Sequence, residues 1–230
     1  MSIVLVSEKP WDVACADELD AMMDDDVIFI SEKELVTEEN LKNIQPHYVF
    51  FLHWSHYIPA SVYENFVCVV FHMTDLPFGR GGSPLQNLIE RGIYKTQLSA
   101  LRCVKELDAG DVFLKRELSL FGSAEEIYIR STKLAKDMIV AIIETRPIPQ
   151  KQEGIPVVFR RRSPEQSDIQ KLQSLEKVFD WIRMLDAEGY PHAFLETPYL
   201  RLSFRRAALR DGYIEADVKI SLKEENHESE

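Results

Sequence analysis

The chain has 230 residues, of which 45% are hydrophobic, with 27 Lys and Arg against 38 Asp and Glu and a formal net charge of −11. That apolar content excludes a disordered chain, and the acidity speaks against a broad nucleic-acid surface, where a basic face is expected. No apolar run approaches the ~20 residues that span a bilayer, and Ile3–Val6 meets Ser7, Glu8 and Lys9 at once, so no membrane contact, no export and a cytoplasmic location are expected. The three cysteines, Cys15, Cys68 and Cys103, are too few and too scattered for a disulfide framework or a four-ligand zinc site. Cys68 and Cys103 lie in apolar runs and read as small buried hydrophobes.

Ile3–Val6 predicts the first strand, Val27–Ser31 the second and Tyr48–Trp54 the third. Between them Pro10–Met23 and Thr37–Ile44 predict helices, the second opened by Thr37 with Asn40. Pro59–Phe66 predicts a short helix with proline at its start, and Val67–His72 a fourth strand. Alternation of strand and helix at this spacing argues a mostly parallel sheet wrapped by helices.

A loop with Gly79, Gly81 and Gly82 follows, then a helix over Pro84–Glu90 and strands over Thr96–Val104 and Val112–Leu118. Ser123–Thr145 is the longest helical stretch, opened by a capping box of Ser123 and Glu126. Residues 146–168 read as a connector rich in proline, with a short strand at Val157–Arg160. Asp168–Asp186 predicts a helix with Leu172, Leu175, Val178, Phe179, Ile182 and Leu185 on one face. Ala193–Arg206 and Tyr213–Leu222 predict a β-rich terminal piece, and Lys223–Glu230 an acidic disordered tail. The expected organisation is a catalytic domain over 1–150, a connector with a small β-rich subdomain over 151–222, and the tail over 223–230.

In an open α/β sheet ligands bind at the carboxyl ends of the strands. Three such ends carry unusual residues: His53-Trp54-Ser55-His56, His72-Met73-Thr74-Asp75, and the turn Leu107-Asp108-Ala109-Gly110. No G-x-G-x-x-G follows the first strand and no phosphate loop is present, so a dinucleotide or nucleoside-triphosphate enzyme is not supported. His56, Asp75 and Asp111 fit no helical zinc spacing, and no metal is expected.

The segment Cys68–Pro84 runs from a strand into His72, then Leu76-Pro77, then the glycines, then a helix. It resembles the formyltransferase pattern Asn-x-His-x-x-Leu-Leu-Pro-x-x-x-Gly, shared by glycinamide ribonucleotide, methionyl-tRNA and amino-sugar formyltransferases. The family's second element, a Leu-Asp-x-Gly turn, matches Leu107–Gly110, and 108 − 72 gives a family-like separation of 36 residues. The resemblance covers about residues 1–195 and is strongest from 47 to 120.

The resemblance implies a Rossmann-like formyltransferase core with a small α+β appendage, and N10-formyltetrahydrofolate as donor. It implies that His72 stabilises the oxyanion while Asp108 orients it and acts as general base. His53, Trp54, Leu76, Arg80, Gly81 and Leu107 are expected to line the donor site. Thr74, Gln86, Asn87, Lys95 and Arg161 are expected on the substrate side, with Arg80, Lys95 and Arg160–Arg162 as candidates for a diphosphate. One position departs from the pattern: where the family has its asparagine, two residues before the histidine, this chain has Val70. Thr74, Gln86, Asn87 or a backbone N–H of the glycine loop are the candidate replacements.

With a C-terminal piece that is short and ends in acid, on an acidic chain, the sequence is similar to the enzymes that N-formylate nucleotide-linked amino sugars for surface glycans, which implies a small-molecule nucleotide sugar as substrate and no nucleic acid. Those enzymes suggest a homodimer through the C-terminal part. The alternatives are methionyl-tRNA or another amine as acceptor, a hydrolase that releases formate, or a catalytically silent folate- or sugar-binding homologue.

Overall fold

A computed structural model describes residues 2–223, and the expected tail at 224–230 lies outside them. The elements begin β1 (Ser2–Val6), α1 (Pro10–Met22), β2 (Asp26–Ile30), α2 (Glu38–Ile44), β3 (Tyr48–Phe51), α3 (Ala60–Tyr63) and β4 (Cys68–His72). They continue β5 (Phe78–Gly81), α4 (Pro84–Glu90), β6 (Lys95–Arg102), β7 (Val112–Ser119) and α5 (Ala124–Thr145). The chain then forms β8 (Val157–Phe159), α6 (Leu175–Arg183), β9 (Phe194–Glu196), β10 (Leu200–Arg210) and β11 (Tyr213–Leu222).

Two compact units emerge from the contacts. The first comprises Met1–Pro84, Lys95–Ser119 and Tyr128–Arg160; the second comprises Leu85–Tyr94, Leu120–Ile127 and the chain from Arg161 onward. The first unit holds a six-stranded sheet in the order β2-β1-β3-β4-β6-β7. Pairings from β2 through β4 are parallel, while β4–β6 and β6–β7 are antiparallel. The interior parallel strands are apolar runs because both their faces are covered: Val4, Leu5, Val6, Val49, Phe50 and Phe51 are all fully buried. At the antiparallel margin β7 carries exposed Arg116 and Glu117 instead. The helix starts follow the side chains that cap them. Thr37 accepts from the Asn40 N–H, and Ser123 and Glu126 form a reciprocal capping box. Burial pushes the Cys68 thiol up to about 12 and Cys103 to about 11, which makes both poor nucleophiles.

Two expectations for elements change. The glycine loop contains a strand, β5, which pairs in parallel with β8 some eighty residues later. The helix expected over Asp168–Asp186 forms only over Leu175–Arg183. Ser174 caps it by accepting from the Lys177 N–H, and the segment before it is drawn out by the Asp168–Phe194 bridge and the Ile169 N–H bond to the Phe194 carbonyl. Lys223, expected to begin the tail, is tied back by its N–H to the Tyr199 carbonyl and by its ammonium to Glu196. The prolines of 146–160 stay with the first unit, held there by β8 and the Val112–Gln150 bridge.

In the second unit β9, β10 and β11 form an antiparallel sheet. The β10–β11 register puts Leu200, Leu202, Phe204, Val218, Ile220 and Leu222 on one face, and Arg201, Ser203, Arg205, Asp217, Lys219 and Ser221 on the other. A buried ion pair, Arg183 Nε to Asp180 Oδ1 at 2.7 Å, is further satisfied by the Leu120 and Gly122 carbonyls.

Candidate active site

The carboxyl ends of β1, β3 and β4 lie on one edge of the parallel sheet and carry Ser7, His53 and His72. Beyond β4 the chain turns through a cis Leu76–Pro77 bond into β5, so Gly79 returns to the histidine it follows. His72 Nε2 lies 2.7 Å from the Gly79 carbonyl oxygen. A carbonyl only accepts, so Nε2 carries the hydrogen. The other ring nitrogen, Nδ1, faces Asp108 Oδ2 at 3.5 Å, and both side chains are only 9% exposed. That separation exceeds a normal hydrogen bond but suits a pair that tightens when substrate arrives.

Asp108 sits in the left-handed backbone region, φ +52°, where Asp is among the few tolerated side chains. Its Oδ2 accepts from the Gly81 N–H at 2.8 Å. The turn that carries it lies against the end of β6. A Cβ on Gly110 would stand 1.8 Å from the Arg102 carbonyl oxygen, so no other residue fits that approach. The Arg102 N–H reaches back to the Asp111 carbonyl at 2.8 Å.

Around this pair the structure gathers Thr74, Arg80 and Gly81. The Thr74 hydroxyl is fully buried and shares the Gly79 carbonyl at 3.4 Å, while Ser99 donates to the Thr74 carbonyl at 2.7 Å. Arg80 donates through Nε and Nη2 to the side-chain oxygen of Gln152. Leu76 is buried, whereas Leu107, next to Asp108, is 68% exposed. Val70, at the family's asparagine position, packs on the same apolar cluster as Trp54 and Cys103. Of its candidate replacements, Thr74 is bonded to Gly79, and the Gly81 and Gly82 N–H groups are bonded to Asp108 and the Phe159 carbonyl.

His53 joins a different network in the same unit. Asp12, fully buried, accepts from Ser7 Oγ at 2.6 Å and Thr132 Oγ1 at 2.5 Å, and Thr132 in turn meets His53 Nε2 at 3.0 Å. Trp11 and Tyr128 pack edge-on to the imidazole. Burial holds the His53 pKa below its ordinary 6.5, partly opposed by the Asp12 charge. The indole N–H of Trp54 is buried without a hydrogen-bond partner. Lys95 lies exposed on β6, 3.4 Å from Glu117. Gln86, Asn87 and Arg161 belong to the second unit. There Gln86 donates to the Met184 carbonyl, Asn87 accepts from Arg91, and Arg161 is exposed. No group of three or more metal-ligating side chains occurs among the described residues.

The state of His53 has a measurable consequence. The unfolded chain takes up a proton near the ordinary pKa of 6.5, and the folded chain resists it. Stability is therefore full above that value and declines as the pH falls through it. Urea midpoints at about pH 7.5 and about pH 5.5 should show a gap in the wild type that narrows in His53→Gln. An unchanged gap would remove His53 as the cause.

Gln152 has no signature in the sequence. It lies in a polar, proline-flanked stretch with no motif, and only its partners reveal it.

Comparison with known proteins gives a consistent result. The family model for the methionyl-tRNA formyltransferase C-terminal domain matches residues 164–221. A solved methionyl-tRNA formyltransferase from Clostridium thermocellum is 50% identical, with 97% of this chain and 100% of that chain covered and a TM-score of 0.95. A methionyl-tRNA formyltransferase of Thermotoga neapolitana is 38% identical over 79 residues, which is 34% of this chain and only 25% of that protein's own length. A 4-N formyltransferase from Francisella tularensis shares the fold at 14% identity, covering 86% of this chain and 93% of that one with a TM-score of 0.67.

Proposed function

The chain belongs to the folate-dependent formyltransferase family, and on that premise we propose that it transfers a formyl group from N10-formyltetrahydrofolate to a primary amine, with His72 and Asp108 as the catalytic pair. One observation carries the reading: an imidazole and a carboxylate 36 residues apart in sequence face each other at 3.5 Å, nearly shielded from water.

The donor supplies the formyl group and a nitrogen leaving group. The residues here suit it: exposed Leu107 offers an apolar face beside Asp108, and the unpartnered Trp54 indole offers a hydrogen-bond donor. The attacking amine must be neutral, and it loses a proton as its bond to the formyl carbon forms. Asp108 takes that proton, held in place by the Gly81 N–H. His72 keeps its Nε2 hydrogen on the Gly79 carbonyl, so Nδ1 receives the amine's proton from Asp108 and then donates it toward the oxygen where charge develops. The bond from the formyl carbon to the donor nitrogen breaks, and the proton ends on that nitrogen. With Val70 where the family has an amide, the oxyanion falls to His72.

Methionyl-tRNA is the acceptor best supported, because the 50%-identical relative that covers 97% of this chain carries that name. The nucleotide amino sugar expected from the sequence rested on the short C-terminal piece and the overall acidity, and the sugar enzyme's likeness is one of fold alone. Net charge hides a local balance. Residues 200–222 carry five basic groups, Arg201, Arg205, Arg206, Arg210 and Lys219, against three acidic ones, Asp211, Glu215 and Asp217. Arg201, Arg206 and Arg210 pair with Glu196, Asp217 and Glu215, so Arg205 and Lys219 are the groups of this hairpin that suit phosphate contacts.

The test is acceptor choice. The purified chain is incubated with N10-formyltetrahydrofolate and initiator methionyl-tRNA, a nucleotide-linked amino sugar, or no acceptor. The expected result is formylation of the tRNA with kcat/KM at least ~10²-fold above the sugar, weakened by added salt. Preference for the sugar, or formate release independent of acceptor, would displace this reading.

A further inference from the structure

The geometry points to Gln152 as the positioning residue of the catalytic pair, acting on Asp108 through the main chain with Arg80 as its own anchor. The inference rests on the function proposed above and adds a residue to it.

Gln152 lies between β5 and the turn that carries Asp108. Its Nε2 donates to the Asp108 carbonyl and the Gly110 carbonyl, each at 2.8 Å. Its Oε1 accepts from Arg80 Nε at 3.1 Å and Nη2 at 2.8 Å. Two amide hydrogens and two lone pairs are thus all engaged. The orientation of the amide follows from its partners: a guanidinium only donates and a carbonyl only accepts, so the flipped amide would face both with the wrong group.

The arrangement matters because Asp108 holds a left-handed backbone conformation, which non-glycine residues adopt uncommonly even though Asp tolerates it better than most. Gly81 fixes the carboxylate from one side, and Gln152 fixes the main chain of the same residue from the other. Three consecutive residues of β5 therefore set the site. The Gly79 carbonyl fixes the His72 ring, Arg80 fixes Gln152, and Gly81 fixes the Asp108 carboxylate. β5 is itself tied to β8 by strand pairing and by the Gly82 N–H bond to the Phe159 carbonyl, at so close an approach that a Cβ on Gly81 would stand 2.5 Å from that oxygen. Without Gln152 the turn loses both carbonyl anchors, and Asp108 is free to relax and carry its carboxylate away from Nδ1.

The test uses Gln152→Glu, Gln152→Leu, Arg80→Met and the Arg80→Met/Gln152→Glu double variant, in the full chain, with N10-formyltetrahydrofolate and methionyl-tRNA. Gln152→Glu keeps the size and the Arg80 contact but removes both donors, so a space-filling role would tolerate it. The expected result is a kcat lowered about 30-fold with donor KM within about twofold, since a misplacement of ~1 Å can cost ~10²-fold. The double variant should be no worse than the worse single, because the residues act in series. The ring-nitrogen NMR signals of His72, assigned with His72→Asn, should move in Gln152→Glu while those of His47 stay; this readout needs no acceptor. Should Gln152→Leu fail to fold by circular dichroism, Gln152→Glu decides. Wild-type kcat or unmoved His72 signals in Gln152→Glu overturn the inference. Asp108→Asn separates the two levels: if it turns over at the wild-type rate, the catalytic assignment falls instead.

Discussion

Asp108→Asn should lower kcat by about 10³-fold while the protein keeps its fold, and His72→Asn should do nearly the same. The amide in Asp108→Asn keeps the shape and accepts the Gly81 N–H through its oxygen, but it cannot take a proton from the amine. Because Gly81 holds Oδ2, the oxygen that also faces His72 Nδ1, a single atom links the backbone anchor to the imidazole. His72→Asn removes the donor toward the developing oxyanion and releases the Gly79 carbonyl. A hydrogen-bond donor to such an oxygen is commonly worth ~10²–10³-fold, and no side-chain amide stands at Val70 to share the load. The two residues act as one unit, so the double variant should be little worse than either alone. Multiplicative losses in the double variant would mean two independent roles. Steady-state kinetics with donor and acceptor varied in turn gives the answer.

Gly110→Ala should be the most damaging single methyl group in the chain's first unit for both stability and turnover. The added carbon would stand 1.8 Å from the Arg102 carbonyl oxygen, well inside any real contact, and the atoms it meets are backbone that no side-chain rotation can clear. The turn must lift off the end of β6, which breaks the Gly110 bond to Gln152 and strains the Arg102–Asp111 link. Overpacking of this kind costs about 3 kcal/mol or more, a large part of a typical stability of ~5–15 kcal/mol. For a chain of this size that lowers Tm by roughly 6–12 °C. Activity should fall further than stability explains, because Asp108 is two residues away. A Tm within about 1 °C of wild type would show that the turn has room that these distances deny.

Much of this was legible in the residues. The apolar runs at β1, β3 and β4 announce strands because covered parallel strands need no polar face, and the spacing between them announces helices. The capping box at Ser123 and Glu126 is a local device, so sequence reveals it. The pairing of His72 with Asp108 was legible only through resemblance, since nothing local says that two residues 36 apart will meet. β5 looks like a loop in sequence because its glycines suppress strand propensity; its partner β8 lies far along the chain and supplies what the segment lacks. The helix expected from Asp168 carried a helical apolar pattern, but Ser174 offered a better start and the Phe194 backbone claimed the segment before it. Gln152 left no trace, because an amide that serves only carbonyls and a guanidinium has no sequence signature. The overall charge speaks against tRNA as acceptor, but a sum over 230 residues cannot show that the C-terminal strands carry more basic than acidic groups.

The most direct measurement follows a labelled formyl carbon. Donor carrying that label is mixed with methionyl-tRNA and either the wild-type chain or Asp108→Asn, and the acid-stable formyl amide is counted over time. The account predicts label on the methionyl amine with the wild type and almost none with the variant. Equal transfer by both proteins, or a wild type that leaves the donor untouched, would contradict it.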